Sequence, residues 1–151
     1  MEYQFDLVDD LSTLRPAPRR FPSRPSSCRP TVLFFDFDGV LHCEADLAQK
    51  VTLFDEIDRL EAILCDYPEV SLVLSTSWQL FSSLYRLKTA FRPEYRRRIE
   101  GGTGDLHPES YSYNRGLLAA NWIAKNGKGR RWIALDDDEP LYPAGCPNLI
   151  V

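Results

Sequence analysis

The chain has 151 residues, a net charge of −4, 44% hydrophobic residues and 26% charged residues. That is enough chain for one domain with its own core, in a composition ordinary for a globular protein. The negative balance argues against a broadly basic nucleic-acid surface, and no apolar run reaches membrane-spanning length. The opening MEYQFDLVDD is acidic and lacks the apolar centre of a secretory signal, so a cytoplasmic setting is expected. Cys28, Cys43, Cys65 and Cys146 are widely spaced and form no metal-ligand pairs; reduced thiols fit that setting.

Leu14 to Pro30 holds five prolines and five arginines. Such a segment has little to bury, so residues 1–30 are expected to be a disordered, solvated tail ahead of a domain at 31–151. Thr31 to Phe35 is short, unbroken, β-branched and aromatic, which predicts a buried parallel strand. Asp36, Asp38 and Gly39 follow at its C-terminal end, where open α/β sheets place their chemistry. An Asp at that place also forms turns and caps helices. Asp36 and Asp38 are separated by one residue, so each can take a different role at one centre. The pair suits a nucleophile beside a general acid/base, both near a divalent metal.

Leu53, Phe54, Ile57, Leu60 and Leu64 recur at helical spacing, and Pro68 ends that helix. Val70 to Leu74 predicts a second strand, ending in Ser75-Thr76-Ser77. Ser77 is a natural N-cap for a helix from Trp78 to about Leu87. Arg92 to Arg98 predicts a short charged helical segment. Ile99 begins a brief strand expected to break at Gly101-Gly102-Thr103-Gly104. A further helix is expected from about Asn114 to Lys125, ending at Gly127. Arg131 to Leu135 is another strand, ending in Asp136-Asp137-Asp138, and Asn148 to Val151 is a last short one. Strands alternating with helices predict an α/β fold, a three-layer Rossmann-like parallel sheet flanked by helices.

In such a sheet Asp36 and Asp38, Ser75, and Asp136 and Asp137 converge on one edge. Clustered carboxylates need a cation nearby to stay ionised, and an all-oxygen donor set favours Mg²⁺ over zinc. The Ser75 hydroxyl offers a donor to a phosphoryl oxygen. Arg115, at the start of the last long helix, is the basic residue best placed to offset charge there.

VLFFDFDGVL, VLSTSW, Arg115 and ALDDDE resemble, in order, the four motifs of the haloacid dehalogenase (HAD) superfamily. The similarity covers Thr31 to Val151 and is greatest to small HAD-domain proteins, some related to HAD modules of RNA-repair proteins. The resemblance implies a Mg²⁺-dependent phosphohydrolase. Asp36 would attack phosphorus and form an aspartyl-phosphate. Asp38 would protonate the leaving oxygen and then deprotonate the hydrolytic water. Ser75 would hold a phosphoryl oxygen, and Arg115 would stabilise charge on the nucleophile and the phosphoryl group. The metal would be bound by Asp36, the backbone carbonyl of Asp38, and Asp136 or Asp137, with Asp136 favoured as the direct ligand. Superfamily members usually carry Lys where Arg115 is assigned; Arg keeps the charge and changes the geometry. Arg130 and Arg131 are the alternatives, but both abut the strand that follows.

Little room is left for a cap domain, within either Leu41 to Val70 or Gln79 to Tyr113. A minimal or absent cap suits a large phosphorylated substrate, such as a nucleic-acid end or a phosphoprotein; a small molecule under a loop lid near Gly101 to Gly104 and His107 is the alternative. The other functional readings are an end-processing phosphatase module for nucleic acids and a catalytically weak binding or regulatory domain. An oligomer is neither required nor excluded. His42 is read as structural or solvent-facing rather than as a contact to the leaving group. Trp78, Trp122 and Trp132 are read as core, with Trp78 also near the pocket mouth. Arg96-Arg97-Arg98 is read as a solvated face that could steer a polyanion.

Overall fold

The computed structural model describes residues 31–42, 53–104, 114–127 and 129–151. The expected N-terminal tail, Cys28, Cys43 and His107 lie outside these residues. Among the described residues, no helix is long and apolar enough to cross a membrane, and Cys146 is a free thiol.

Five strands form one sheet: β1 (Thr31–Phe35), β2 (Ser71–Leu74), β3 (Ile99–Gly102), β4 (Arg131–Leu135) and β5 (Leu149–Ile150). Their order is β3-β2-β1-β4-β5 and every pairing is parallel. The helices are α1 (Ile57–Asp66), α2 (Leu84–Lys88), α3 (Pro93–Arg96) and α4 (Arg115–Trp122). β1 lies in the middle, and Val32 to Phe35 are all buried, which is why its sequence is apolar without alternation. Leu33 and Phe35 face one core, packed with Ile57, Leu60 and Leu64 of α1, Leu87 of α2 and Tyr95 of α3. Val32 and Phe34 face the other, with Ala119 and Trp122 of α4, Ala134 and Tyr142. The predicted three-layer α/β architecture is therefore the observed one. Each buried phenylalanine of β1 contributes roughly 1.5–3 kcal/mol through the area it removes from water. Trp122 and Trp132 meet Phe34 edge-on, each with ring centroids 5.7 Å away, as core residues.

Several boundaries depart from expectation. Leu53 to Glu56 is a turn, and α1 starts only at Ile57. The helix expected from Ser77 to Leu87 is two separate pieces. Thr76, not Ser77, is the first cap: its hydroxyl accepts from the Trp78 amide at 3.3 Å and starts a 3-10 turn over Ser77–Leu80. The Ser83 hydroxyl then accepts from the Arg86 amide at 3.3 Å and starts α2. Two competing caps seven residues apart divide what the apolar spacing alone reads as one helix. Gly101 and Gly102 stay within β3 instead of breaking it. At Gly102 the absence of a side chain admits the Gln79 amide, whose oxygen would stand 1.9 Å from an added Cβ. α4 is capped by Asn114, whose side-chain oxygen accepts from the Leu117 amide at 2.8 Å; it gives way to a π turn over Ile123–Gly127.

The basic run is not a free solvated face. Arg96 donates to the carbonyls of Phe91 (2.6 Å) and Thr89 (3.1 Å). Arg98 donates to those of Leu64 (2.8 Å), Tyr67 (2.7 Å) and Val70 (2.9 Å). These carbonyls lie in the last turn of α1 and in the segment that leads from it to β2, so Arg98 ties that connection down. The run also precedes β3, placing it at the opposite edge of the sheet from the strands' C-terminal ends.

Candidate active site

The strand register assembles the site. Phe35 pairs with both Leu74 and Leu135, so the next residues, Asp36, Ser75 and Asp136, emerge side by side. Their amides continue the ladder: Ser75 donates to the Phe35 carbonyl at 2.9 Å, Asp36 to Leu135 at 3.1 Å, and Asp136 to Ile150 at 3.1 Å. All three side chains are buried. Backbone pairing, rather than loop packing, thus fixes where the carboxylates stand.

Arg115 enters from the start of α4. One guanidinium nitrogen, Nη1, donates to Oδ2 of Asp36 and to Oδ2 of Asp136, the latter at 2.6 Å. Arg130 instead pairs with Glu100 and Ser71, and Arg131 pairs with Thr31 at the start of β1, so neither alternative reaches the carboxylates. Asp36 Oδ1 accepts from the Phe37 amide at 2.7 Å. Asp136 is held further by the Tyr142 hydroxyl at 2.9 Å and by the Asp138 amide at 3.1 Å. Burial pushes the Asp36 carboxyl up to about 6, against the opposing pull of Arg115, with the Asp136 charge adding to the rise. Burial disfavours the charged form of Arg115, yet the two carboxylates outweigh it and hold the guanidinium above its ordinary value. The Tyr142 phenol is raised by burial and by Asp136.

Asp36, Asp136 and the exposed Asp137 each offer a carboxylate oxygen, and these oxygens lie within 4.8 Å of one another. Three carboxylates against one guanidinium leave two negative charges uncompensated in a largely buried cluster. A hard divalent cation fits both that deficit and an all-oxygen donor set. Gly39 forms the wall behind Asp137. Its φ is +70°, and a Cβ added there would stand 2.0 Å from an Asp137 carboxylate oxygen. Gly39→Ala is therefore expected to lose about 1–2 kcal/mol of stability through its left-handed backbone. It also displaces Asp137, so Mg²⁺ titration followed by thermal shift should show weakened binding, whereas an Ala at the open position Gly129 should leave metal binding unchanged.

Asp38 is not one of these three carboxylates; its contacts are with residues of the neighbouring aromatic cluster. The Trp78 indole Nε1 donates to both of its oxygens, at 3.0 and 3.1 Å. His42 Nε2 is 3.0 Å from Oδ1, and the Ser77 hydroxyl 3.5 Å from Oδ2. Burial raises the Asp38 carboxyl, but the bonds from His42, Trp78 and Ser77 outweigh it and bring it below the ordinary value. His42 is buried, so the solvent-facing part of its reading is corrected; the structural part stands. The turn after β1 returns the chain, with the Leu41 amide donating to the Phe37 carbonyl at 2.8 Å, so that His42 faces Asp38 four residues back. Ser75 Oγ is buried without a hydrogen-bond partner among the described residues. A buried, unpaired hydroxyl at a strand end is a donor in waiting. Tyr142 was not legible as a site residue: it reaches Asp136 through the 3-10 turn over Glu139–Leu141, with no motif to mark it.

No curated protein and no solved structure matches the chain. A family model described as the HAD domain in Swiss Army Knife RNA repair proteins matches residues 32–150. That span begins one residue into β1, ends in β5, and contains every strand end that builds the site. The chain therefore belongs to this family of HAD domains.

Proposed function

We propose that the protein is a Mg²⁺-dependent phosphomonoester phosphohydrolase working through an aspartyl-phosphate on Asp36. The observation that carries this reading is the buried carboxylate pair Asp36 and Asp136, bridged by one arginine nitrogen, beside the unpaired hydroxyl of Ser75. A buried anionic cluster with a fixed cation and a free donor is arranged to receive a charged oxyanion, not to stabilise a core.

Asp36, Asp136 and Asp137, with the Asp38 carbonyl, would hold Mg²⁺, which when bound supplies charge neutralisation at the phosphoryl oxygens. The Asp36 Oδ1 and Oδ2 bonds to the Phe37 amide and Arg115 fix the nucleophile's plane. Ser75 Oγ donates to a phosphoryl oxygen and meets there the partner it lacks. Arg115 offsets the charge that grows on Asp36 and the transferring group. Asp38 transfers a proton to the leaving oxygen and takes one from the attacking water in the second half of the cycle.

The family's occurrence in RNA repair proteins supports phosphorylated nucleic-acid ends as a substrate class. The described segments between the strands are α1, the 3-10 turn with α2 and α3, α4 with its π turn, and the 3-10 turn over Glu139–Leu141; none is an inserted domain that would close over the site. Phosphate release is to be measured on a panel of phosphomonoesters that includes RNA oligonucleotides with 3′- and 5′-phosphate ends, with Mg²⁺ and with EDTA. Metal-dependent release is expected, fastest on an oligonucleotide end. Faster release from small metabolite esters would assign a small-molecule substrate instead, and no release from any ester would overturn the hydrolase reading.

A further inference from the structure

Neither His42 nor Trp78 is given a role in the proposed chemistry, yet both spend a polar group on the same carboxylate. We infer that they are positioning residues that hold Asp38 in its working orientation; the inference rests on the phosphohydrolase reading above. Trp78 Nε1 bonds both oxygens, at 3.0 and 3.1 Å, which fixes the plane of the carboxylate and not only its distance. His42 Nε2 takes Oδ1 from a second direction at 3.0 Å. Nδ1 of the same ring is buried with no partner among the described residues. Placing the ring proton on Nε2 makes that nitrogen the donor to Asp38 and leaves Nδ1 a lone pair instead of a stranded N–H.

The clamp is itself held rigid by packing. The Phe54 ring meets His42 at 5.4 Å and Trp78 at 5.6 Å, and Phe37 meets Trp78 at 5.5 Å and Phe54 at 5.5 Å. Phe54 adopts φ +67°, a left-handed backbone that a bulky side chain takes only where its surroundings enforce it. The His42 side chain is fully buried while 26% of the Asp38 side chain stays exposed. The carboxylate is thus gripped from behind with one face open. Ordinary core packing explains the rings, but not why two polar groups converge from the wall of an apolar pocket on a partly exposed acid.

The test uses Trp78→Phe, which removes the indole donor and keeps an aromatic ring, His42→Leu, and His42→Gln, which restores a donor near Nε2. Turnover is compared on 4-nitrophenyl phosphate, whose leaving group departs without a proton, and on glycerol 2-phosphate, whose alkoxide needs one. We expect kcat/KM, which reports the leaving-group step and not the hydrolysis shared by both esters, to fall by roughly 10²-fold on glycerol 2-phosphate in Trp78→Phe and His42→Leu, that on 4-nitrophenyl phosphate to fall by less than about 10-fold, and His42→Gln to recover most of the loss. Equal losses on both esters, or none on either, would overturn the inference, since a purely structural role does not discriminate between leaving groups. If the wild-type protein cleaves neither ester, the hydrolase reading is decided on the phosphorylated oligonucleotide ends and fails only if these too stay intact. The clamp is then decided by the Trp78 indole N–H resonance: a downfield position in the wild type that is lost in Asp38→Leu sustains it, and an unmoved resonance overturns it.

Discussion

Asp36→Asn is expected to lose turnover by roughly 10⁴-fold or more on every phosphomonoester while the metal-free protein melts no lower than the wild type. The two halves of that result come from the same burial. Amide nitrogen and oxygen have no nucleophilic carboxylate to offer phosphorus, so the covalent step is gone. The folded carboxyl titrates near 6 against an ordinary 3.8, so its ionisation opposes folding. Below about pH 4 both folded and unfolded chains carry the proton and no cost arises. As pH rises from 4 through 6 the unfolded chain ionises first, and stability falls by an amount on the order of 3 kcal/mol. Asn removes that loss, although it also takes one anionic partner from Arg115. Thermal melts in EDTA at pH 5 and pH 7.5 should show the wild type losing stability across that interval and Asp36→Asn losing less. A variant that melts well below the wild type at both pH values, or one that keeps its turnover, would contradict the placement of Asp36 as a strained nucleophile.

Replacement of Arg115 has the other large effect. Arg115→Ala leaves Asp36 and Asp136 buried side by side without their shared cation, at a cost of about 3–5 kcal/mol. Mg²⁺ should restore part of the lost melting temperature, because it supplies charge to the same cluster. Arg115→Lys should behave differently. Both bonds run through the single nitrogen Nη1, and one ammonium with three donors can in principle replace that nitrogen. Activity within about 10-fold of wild type is expected for Lys, against a loss of about 10²–10³-fold for Ala. Collapse of Arg115→Lys to the level of Arg115→Ala would show that the planar guanidinium, and not its charge, is what the site requires.

The most legible parts of the chain were those where a single physical pattern dominated. β1 and β4 are short apolar runs ending in carboxylates, and in a parallel sheet that alone predicts that Asp36 and Asp136 meet. Arg115 was legible as the first basic residue of a helix that must begin on the same side. The boundaries after β2 were not, because Thr76 and Ser83 both cap and the spacing of apolar residues cannot say which of two hydroxyls wins. Arg96 to Arg98 reads as solvated because clustered charge usually is; the partners of Arg98, the carbonyls of Leu64, Tyr67 and Val70, are distant in sequence. His42 and Trp78 follow visible motifs, but nothing local shows that both turn toward Asp38. That depends on a positive-φ turn at Gly39 and on the ring of Phe54, contributed from beyond the first strand.

The pairing of β1 with β4 joins Thr31 to Arg131, about a hundred positions along the chain. The pairing of β1 with β2, and the packing of α1 between them in sequence, closes much shorter loops at a lower entropic cost. Collapse around Phe35 can therefore proceed while Asp136 and Asp137 are still far from Asp36, with no mutual repulsion to misdirect it. On that order of closure the acidic groups would meet when β4 docks, which folding φ-values high in β2 and low in β4 would bear out. Distance along the chain would thus act as a schedule, leaving the meeting of the carboxylates to a late stage of assembly.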